Sequence, residues 1–200
     1  MASITDFIGK FKGGNKANRF EIHGAIGAAS GTTDANSQFT ANKFHVRSAS
    51  LPASTFGAIP VNFRGRTVLY PGERVYAPWT ITVLDDNKSN NATSLYTQFH
   101  DWSNQINDHD SNVMTISGGT QLGDAFHTSN WTIYQLSVNS EEITQPIRKT
   151  ILHHCWPLRV GEIQFDMSKD NQLAAFEVEV RFSYMDVSTG VAGAGSTEAI

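Results

Sequence analysis

Over residues 176–184 apolar and polar side chains alternate without a break: Phe-Glu-Val-Glu-Val-Arg-Phe-Ser-Tyr. A strand points successive side chains to opposite faces. This spacing therefore predicts one face of Phe176, Val178, Val180, Phe182 and Tyr184, and another of Glu177, Glu179, Arg181 and Ser183. Such a strand belongs to an antiparallel sheet with one packed face and one wet face. The same period predicts strands over 19–24, 43–48, 61–70, 79–84, 131–138 and 143–154. Gly65 suggests a bulge inside the third of these, and Pro71-Gly72 after it carries the chemistry of a turn. Leu51-Pro52 breaks the pattern, while 27–38 and 168–171 are small and polar, as loops are. Residues 163–165 lead into the second of these turns.

Two segments follow the helical period instead. Leu95, Phe99, Trp102 and Ile106 form one stripe, with Asn90, Asn91 and Thr93 as candidate caps. Near the start, Ile4, Phe7, Ile8 and Phe11 line one side of a short helix. Ser3 and Asp6 have the spacing of a capping box, and Gly13-Gly14 ends the segment. A helix this short is marginal by itself, so its apolar side needs a docking surface. Residues 107–130 read as a long polar loop. The pattern predicts a mainly β fold: an antiparallel domain over 20–186 with one flanking helix, an N-terminal arm over 1–19 and a C-terminal tail over 187–200.

Composition fits that outline. Two hundred residues suit one domain, and 40% hydrophobic content supplies a core. Net charge is −4, unevenly spread: the first 75 residues carry nine basic and four acidic groups, the remainder six and fifteen. Charge of opposite sign in the two parts suits either ordinary surface or head-to-tail self-association. The single cysteine, Cys155, excludes an internal disulfide and fits a reducing compartment. No leader pattern or membrane-length apolar run is visible, so the chain is expected to stay soluble in cytoplasm, without membrane insertion of its own.

The search for chemistry returns little. In His153-His154-Cys155 only His153 and Cys155 would share a strand face, two ligands with no second pair to complete a zinc site. His109 between Asp108 and Asp110 lacks the glycine and terminal glutamate of a calcium loop, and Asp85-Asp86 suits a turn. Phosphate-cradling loops and nucleophile elbows are absent. Arg64 and Arg66 would share a strand face beside Phe63, but no wider basic–aromatic stripe supports nucleic-acid recognition. The residues read as a non-enzymatic protein without a cofactor or metal. The competing reading is a small-ligand module or enzyme built around His153 and Cys155.

Two blocks carry a resemblance. One is Leu51-Pro52-Ala53, Ile59-Pro60-Val61, Gly72-Glu73-Arg74 and Trp79-Thr80-Ile81-Thr82-Val83, closing on Phe99 and Asp101-Trp102. The other is Trp156-Pro157, Val160-Gly161-Glu162-Ile163-Gln164, Phe176-Glu177-Val178 and Tyr184. In order and spacing they resemble the tail tube proteins of contractile-tailed, T4-like bacteriophages over residues 20–186. The stretch 27–38 is longer than that pattern.

The resemblance implies a β-sandwich or partial barrel with one flanking helix, assembled as hexameric rings. Stacked rings form a hollow virion tube, built in host cytoplasm, that conducts the genome inside a contractile sheath. The implied partners are further copies of the chain, the sheath, baseplate and tail terminator proteins, and, in the lumen, a tape measure protein and non-specifically held DNA. Glu177 and Glu179 are the candidates for the lumen wall. Arg64, Arg66, Arg74, Phe7 and Phe11 are the candidates for contacts between subunits or rings, with 51–74 and 107–130 as contact segments. The same resemblance extends to tubes of type VI secretion systems, pyocins and extracellular contractile injection particles.

Overall fold

The computed structural model describes residues 3–11, 14–24, 26, 45–85, 94–111, 129–137, 146–168, 170 and 172–189. In chain order the elements are α1 (Ile4–Phe11), β1 (Phe20–His23), β2 (Val46–Ala49), β3 (Ser54–Phe63), β4 (Arg66–Tyr76) and β5 (Trp79–Leu84). They continue with α2 (Leu95–Ile106), β6 (Ser129–Leu136), β7 (Pro146–Val160), β8 (Ala175–Arg181) and β9 (Tyr184–Thr189). All strand pairs are antiparallel.

β7 organises the domain. Its first part pairs with β6 on one edge and β9 on the other, and β1 extends that sheet beyond β6. Its last residues pair with β8, followed by β5 and β2. The strand turns from one sheet into the other at His154, whose φ of 58° is left-handed. β8 and β9 turn with it, because the Ser183 N–H donates to the His153 carbonyl at 2.9 Å. The two sheets thus face each other without closing into a barrel, and the alternation over 176–184 breaks at the bend. Phe182 stays buried, but Tyr184 leaves the apolar face and stacks on His153, ring centroids 4.4 Å apart. β9 then runs through Thr189, past the expected start of the tail.

The space between the sheets is filled as the periodicity requires. Trp79, Ile81 and Val83 of β5 meet Phe176, Val178 and Val180 of β8, all fully or almost fully buried. From α2, Leu95, Phe99 and Trp102 close the open side. Trp131 of β6 joins the three parts: its indole lies 5.6 Å from that of Trp79, 6.3 Å from Phe99 and 6.4 Å from Trp102. The Trp79 indole N–H is satisfied by the Ser50 carbonyl at 2.6 Å, as a buried tryptophan requires. The helix cap is Ser94, whose hydroxyl accepts the Thr97 N–H. The three cap positions expected from sequence lie outside the described residues.

The hairpin differs from expectation. Residues 61–70 are not one strand: the chain reverses at Arg64 (φ 48°) and Gly65 (φ 77°), joining β3 to β4. Pro71 and Gly72 lie within β4 near a register shift between Phe56 and Ala58. A Cβ on Gly72 would stand 3.1 Å from the Gly57 carbonyl oxygen, so Gly72 serves a close approach and not a turn. Arg64 and Arg66, expected on one strand face, flank the tip instead.

Two outcomes follow from this packing. A Cβ on Gly24 would run into the Trp131 indole. Gly24→Ala should therefore destabilise by about 1–3 kcal/mol through overpacking, and Trp131→Ala by about 3–5 kcal/mol through the cavity it leaves, both read from urea midpoints. Burial pushes the Cys155 thiol up to about 12 from a usual 9.0. A folded-state pKa raised in this way leaves stability whole below pH 9.0 and removes it as pH rises toward 12. Thiol alkylation at pH 8 should be slow in the native protein and fast once it is unfolded.

Candidate assembly surfaces

The bend in β7 decides the His153-His154-Cys155 question. The left-handed residue breaks strand alternation, so His153 and Cys155 do not converge as the strand spacing predicts. Cys155 turns into the core, its Sγ 3.4 Å from the Leu152 carbonyl. His153 Nε2 lies 2.9 Å from an Asp186 carboxylate oxygen. Both histidine rings rest on Tyr184, His153 stacked and His154 edge-on at 5.6 Å. Among the described residues no group of three or more His, Cys, Asp or Glu is placed to hold a metal. Asp108, beside His109, accepts the Ser111 hydroxyl at 2.6 Å and the Asp110 N–H at 3.4 Å. Those bonds hold its pKa below the ordinary carboxylate value and fix a turn.

What the molecule offers instead is surface. The outward face of the β7-β8-β5-β2 sheet is polar. Register places Glu177 opposite Thr82 and Glu179 opposite Thr80, and Ser48 donates to the Thr82 hydroxyl at 2.9 Å. Glu179 pairs with Arg159 at 3.4 Å, and Arg181 donates to the Tyr76 carbonyl. Both glutamates thus lie on one wet face, as the alternation predicts, with one of them partly neutralised. Each side of this sheet ends in an edge without a partner among the described residues: β2, and the last five residues of β7.

The β3–β4 hairpin stands away from both sheets. Direct partners share a face: Ile59 with Tyr70, Val61 with Val68 and Phe63 with Arg66 on one side, Pro60 with Leu69 and Asn62 with Thr67 on the other. Nearly every residue of the ribbon is exposed. A free two-stranded ribbon is marginal in water, and contiguous apolar surface of this kind marks contact with another molecule. Its cations are braced on aromatic rings: Arg74 lies 4.5 Å from the Phe56 centroid and Arg64 lies 5.3 Å from Phe63. α1 is similarly uncovered. The predicted capping box forms between Ser3 and Asp6, while Phe7 and Phe11 stack at 5.3 Å with both rings exposed.

A third surface has no clear signal in the sequence. Between β7 and β8 the chain bears exposed Phe165, Met167 and Leu173, of which Phe165 and Leu173 border a cleft floored by Thr82, Glu177 and Glu179. Asp166 in its rim accepts from Ser168, which lowers its pKa. The sequence marks only the turn after 165. That the apolar side chains remain in water follows from the packed structure alone.

The phage tail tube protein family model matches residues 16–189. Tail tube protein gp19 of Enterobacteria phage T4 is 27% identical over 143 residues, 72% of this chain and 80% of that protein. Its counterpart in Enterobacteria phage T6 matches equally. Among solved structures, the fold is similar to a chain of the sheath–tube complex of the extracellular contractile injection system PVC in its extended state. The TM-score is 0.56 at 15% identity, covering 95% of this chain and 100% of that one. A chain of the anti-feeding prophage baseplate gives 0.55 at 15% identity, covering 86% and 93%. With two facing antiparallel sheets, one flanking helix and a family match across most of its length, the chain belongs to the phage tail tube proteins.

Proposed function

We propose that the protein is the structural subunit of a contractile phage tail tube: a non-enzymatic chain whose hexameric rings stack into a conduit for the genome. One observation carries the reading. The β7-β8-β5-β2 sheet has a polar outward face and an edge without a described partner on each side. Four antiparallel strands place β2 and the end of β7 in opposite directions, so β2 of one subunit can pair antiparallel with β7 of the next around a ring. Closure then removes both edges of this sheet. Six such sheets, at about 4.8 Å per strand and a tilt of about 40°, close a circle roughly 48 Å across at the backbone. That leaves room for a duplex inside lining side chains.

The polar face is then the lumen wall, with Glu177 and Glu179 on it. A wall without a cationic excess avoids phosphate binding and counterion release. The β3–β4 hairpin and α1 supply contacts between subunits or rings through Arg64, Arg66, Arg74, Phe7 and Phe11. The outer surface meets the sheath; baseplate and terminator proteins meet the tube ends, and a tape measure protein and DNA occupy the lumen of a virion tail assembled in host cytoplasm. The second reading, a tube of an extracellular contractile injection system, has support in the fold similarity to the PVC complex.

Negative-stain microscopy of the purified full chain tests both readings: rings or tubes with a central hole are expected, and globular particles at every concentration would sink them. Removing residues 1–13 should leave the monomer's thermal transition unchanged and lower tube yield. Glu177→Lys with Glu179→Lys should still assemble but retain DNA at low salt, where wild-type tubes do not. Equal DNA retention by both tubes would remove these residues from the lumen.

A further inference from the structure

One row of residues crosses the inner face of the β1-β6-β7-β9 sheet: Ile22, Ile133, Thr150 and Val187, each opposite the next. Direct partners share a face. The first three are buried, Thr150 at 2% exposure, but Val187 is 56% exposed. The cover over this face therefore stops short of β9. Beside the row lies a recess of about 180 Å³, bordered by Phe20, Leu51, Ile133, Thr150, Arg19 and Arg148. Thr150 Oγ1 is buried there without a hydrogen-bond partner among the described residues. A hydroxyl buried in this way is destabilising until something bonds it.

We infer that residues 190–194, Gly-Val-Ala-Gly-Ala, fold back from β9 of the same chain into this recess. They cover Val187, place a backbone N–H on Thr150 Oγ1 and set the Val191 side chain against Leu51 and Ile133. Residues 190–200 lie outside the described residues, and the family match ends at Thr189. The segment is thus an addition to the shared domain. It begins in the right place: Thr189 is the register partner of Arg148 at the border of the recess, roughly 5 Å away between Cα atoms. Gly190 supplies the backbone freedom for a reversal at that point. The side chains of 190–194 are small and uncharged, as a narrow recess requires. Its volume is below the roughly 300–1,000 Å³ of a small-molecule site and well above the roughly 30 Å³ of one water. Farther along, Glu198 is the one charged side chain in 190–200, opposite in sign to Arg19 and Arg148. Seated in this way, the segment ties β9 to the chain between β2 and the hairpin, where Leu51 stands.

Cys155 is the chain's single cysteine and is buried, so one introduced thiol reports on its own position. In the full chain, Val191→Cys should be alkylated about tenfold or more slower than Ser188→Cys, an exposed position on β9. Thr150→Val, which removes the bonding hydroxyl, should return the Val191→Cys rate toward that reference. Oxidation of Leu51→Cys with Val191→Cys should close a loop within one chain, seen as a faster monomer band on a non-reducing denaturing gel. Equal alkylation rates at 188 and 191 overturn the docking. A rate unchanged by Thr150→Val overturns the bond to the hydroxyl. A dimer or ladder in place of the faster monomer assigns the recess to another copy and overturns the contact within one chain. Should Thr150→Val fail to fold, the cysteine variants on the unaltered recess decide alone.

Discussion

The Trp131 indole is the contact on which the rest of the domain depends. It touches Trp79 from the facing sheet and Phe99 and Trp102 from α2, so both sheets and the helix are positioned against one rigid side chain. Burying an aromatic of this size contributes several times what a small aliphatic side chain does. The bare backbone of Gly24 lets β1 close over the same ring. Because this junction fixes one sheet against the other, it also fixes which face of each is wet. The polar face bearing Glu177 and Glu179 is the reverse side of Val178 and Val180 in the core.

Around that junction the molecule separates into a part that folds on itself and parts that remain unfinished. The sandwich satisfies its core. The β3–β4 ribbon, α1 and the cleft rim at Phe165 and Leu173 leave apolar side chains in water, and the four-stranded sheet leaves edges without a described partner. In an independent monomer such features would favour aggregation. In the proposed tube they are surfaces for a neighbouring copy to cover.

The core was legible in the sequence. The alternation in 79–83 and 176–180 and the stripe of Leu95, Phe99 and Trp102 give the right faces, because burial imposes its period directly on the residues. The wet position of the two glutamates came from the same pattern. The hairpin tip was misassigned because Pro71-Gly72 has stronger turn chemistry than Arg64-Gly65, although Gly72 is needed for a close approach to Gly57. The bend of β7 had no signal, since a left-handed histidine looks like any strand residue. Consequently the outward turn of Tyr184 and the divergence of His153 from Cys155 could not be read. The acidic cleft was equally hidden. It exists only because residues 161–166 and 172–174 border a sheet whose strands come from three separate parts of the chain.

The buried thiol acquires a different meaning once the chain is considered as a repeating unit. A periodic polymer copies every reactive group at each lattice position, so one accessible cysteine per subunit would become a regular array of thiols. A particle that leaves a reducing cell for an oxidising medium would then risk random covalent stitching along its length. In a tube of the proposed kind Cys155 would add no such group, since it is sealed behind the β7 bend with its thiol held protonated.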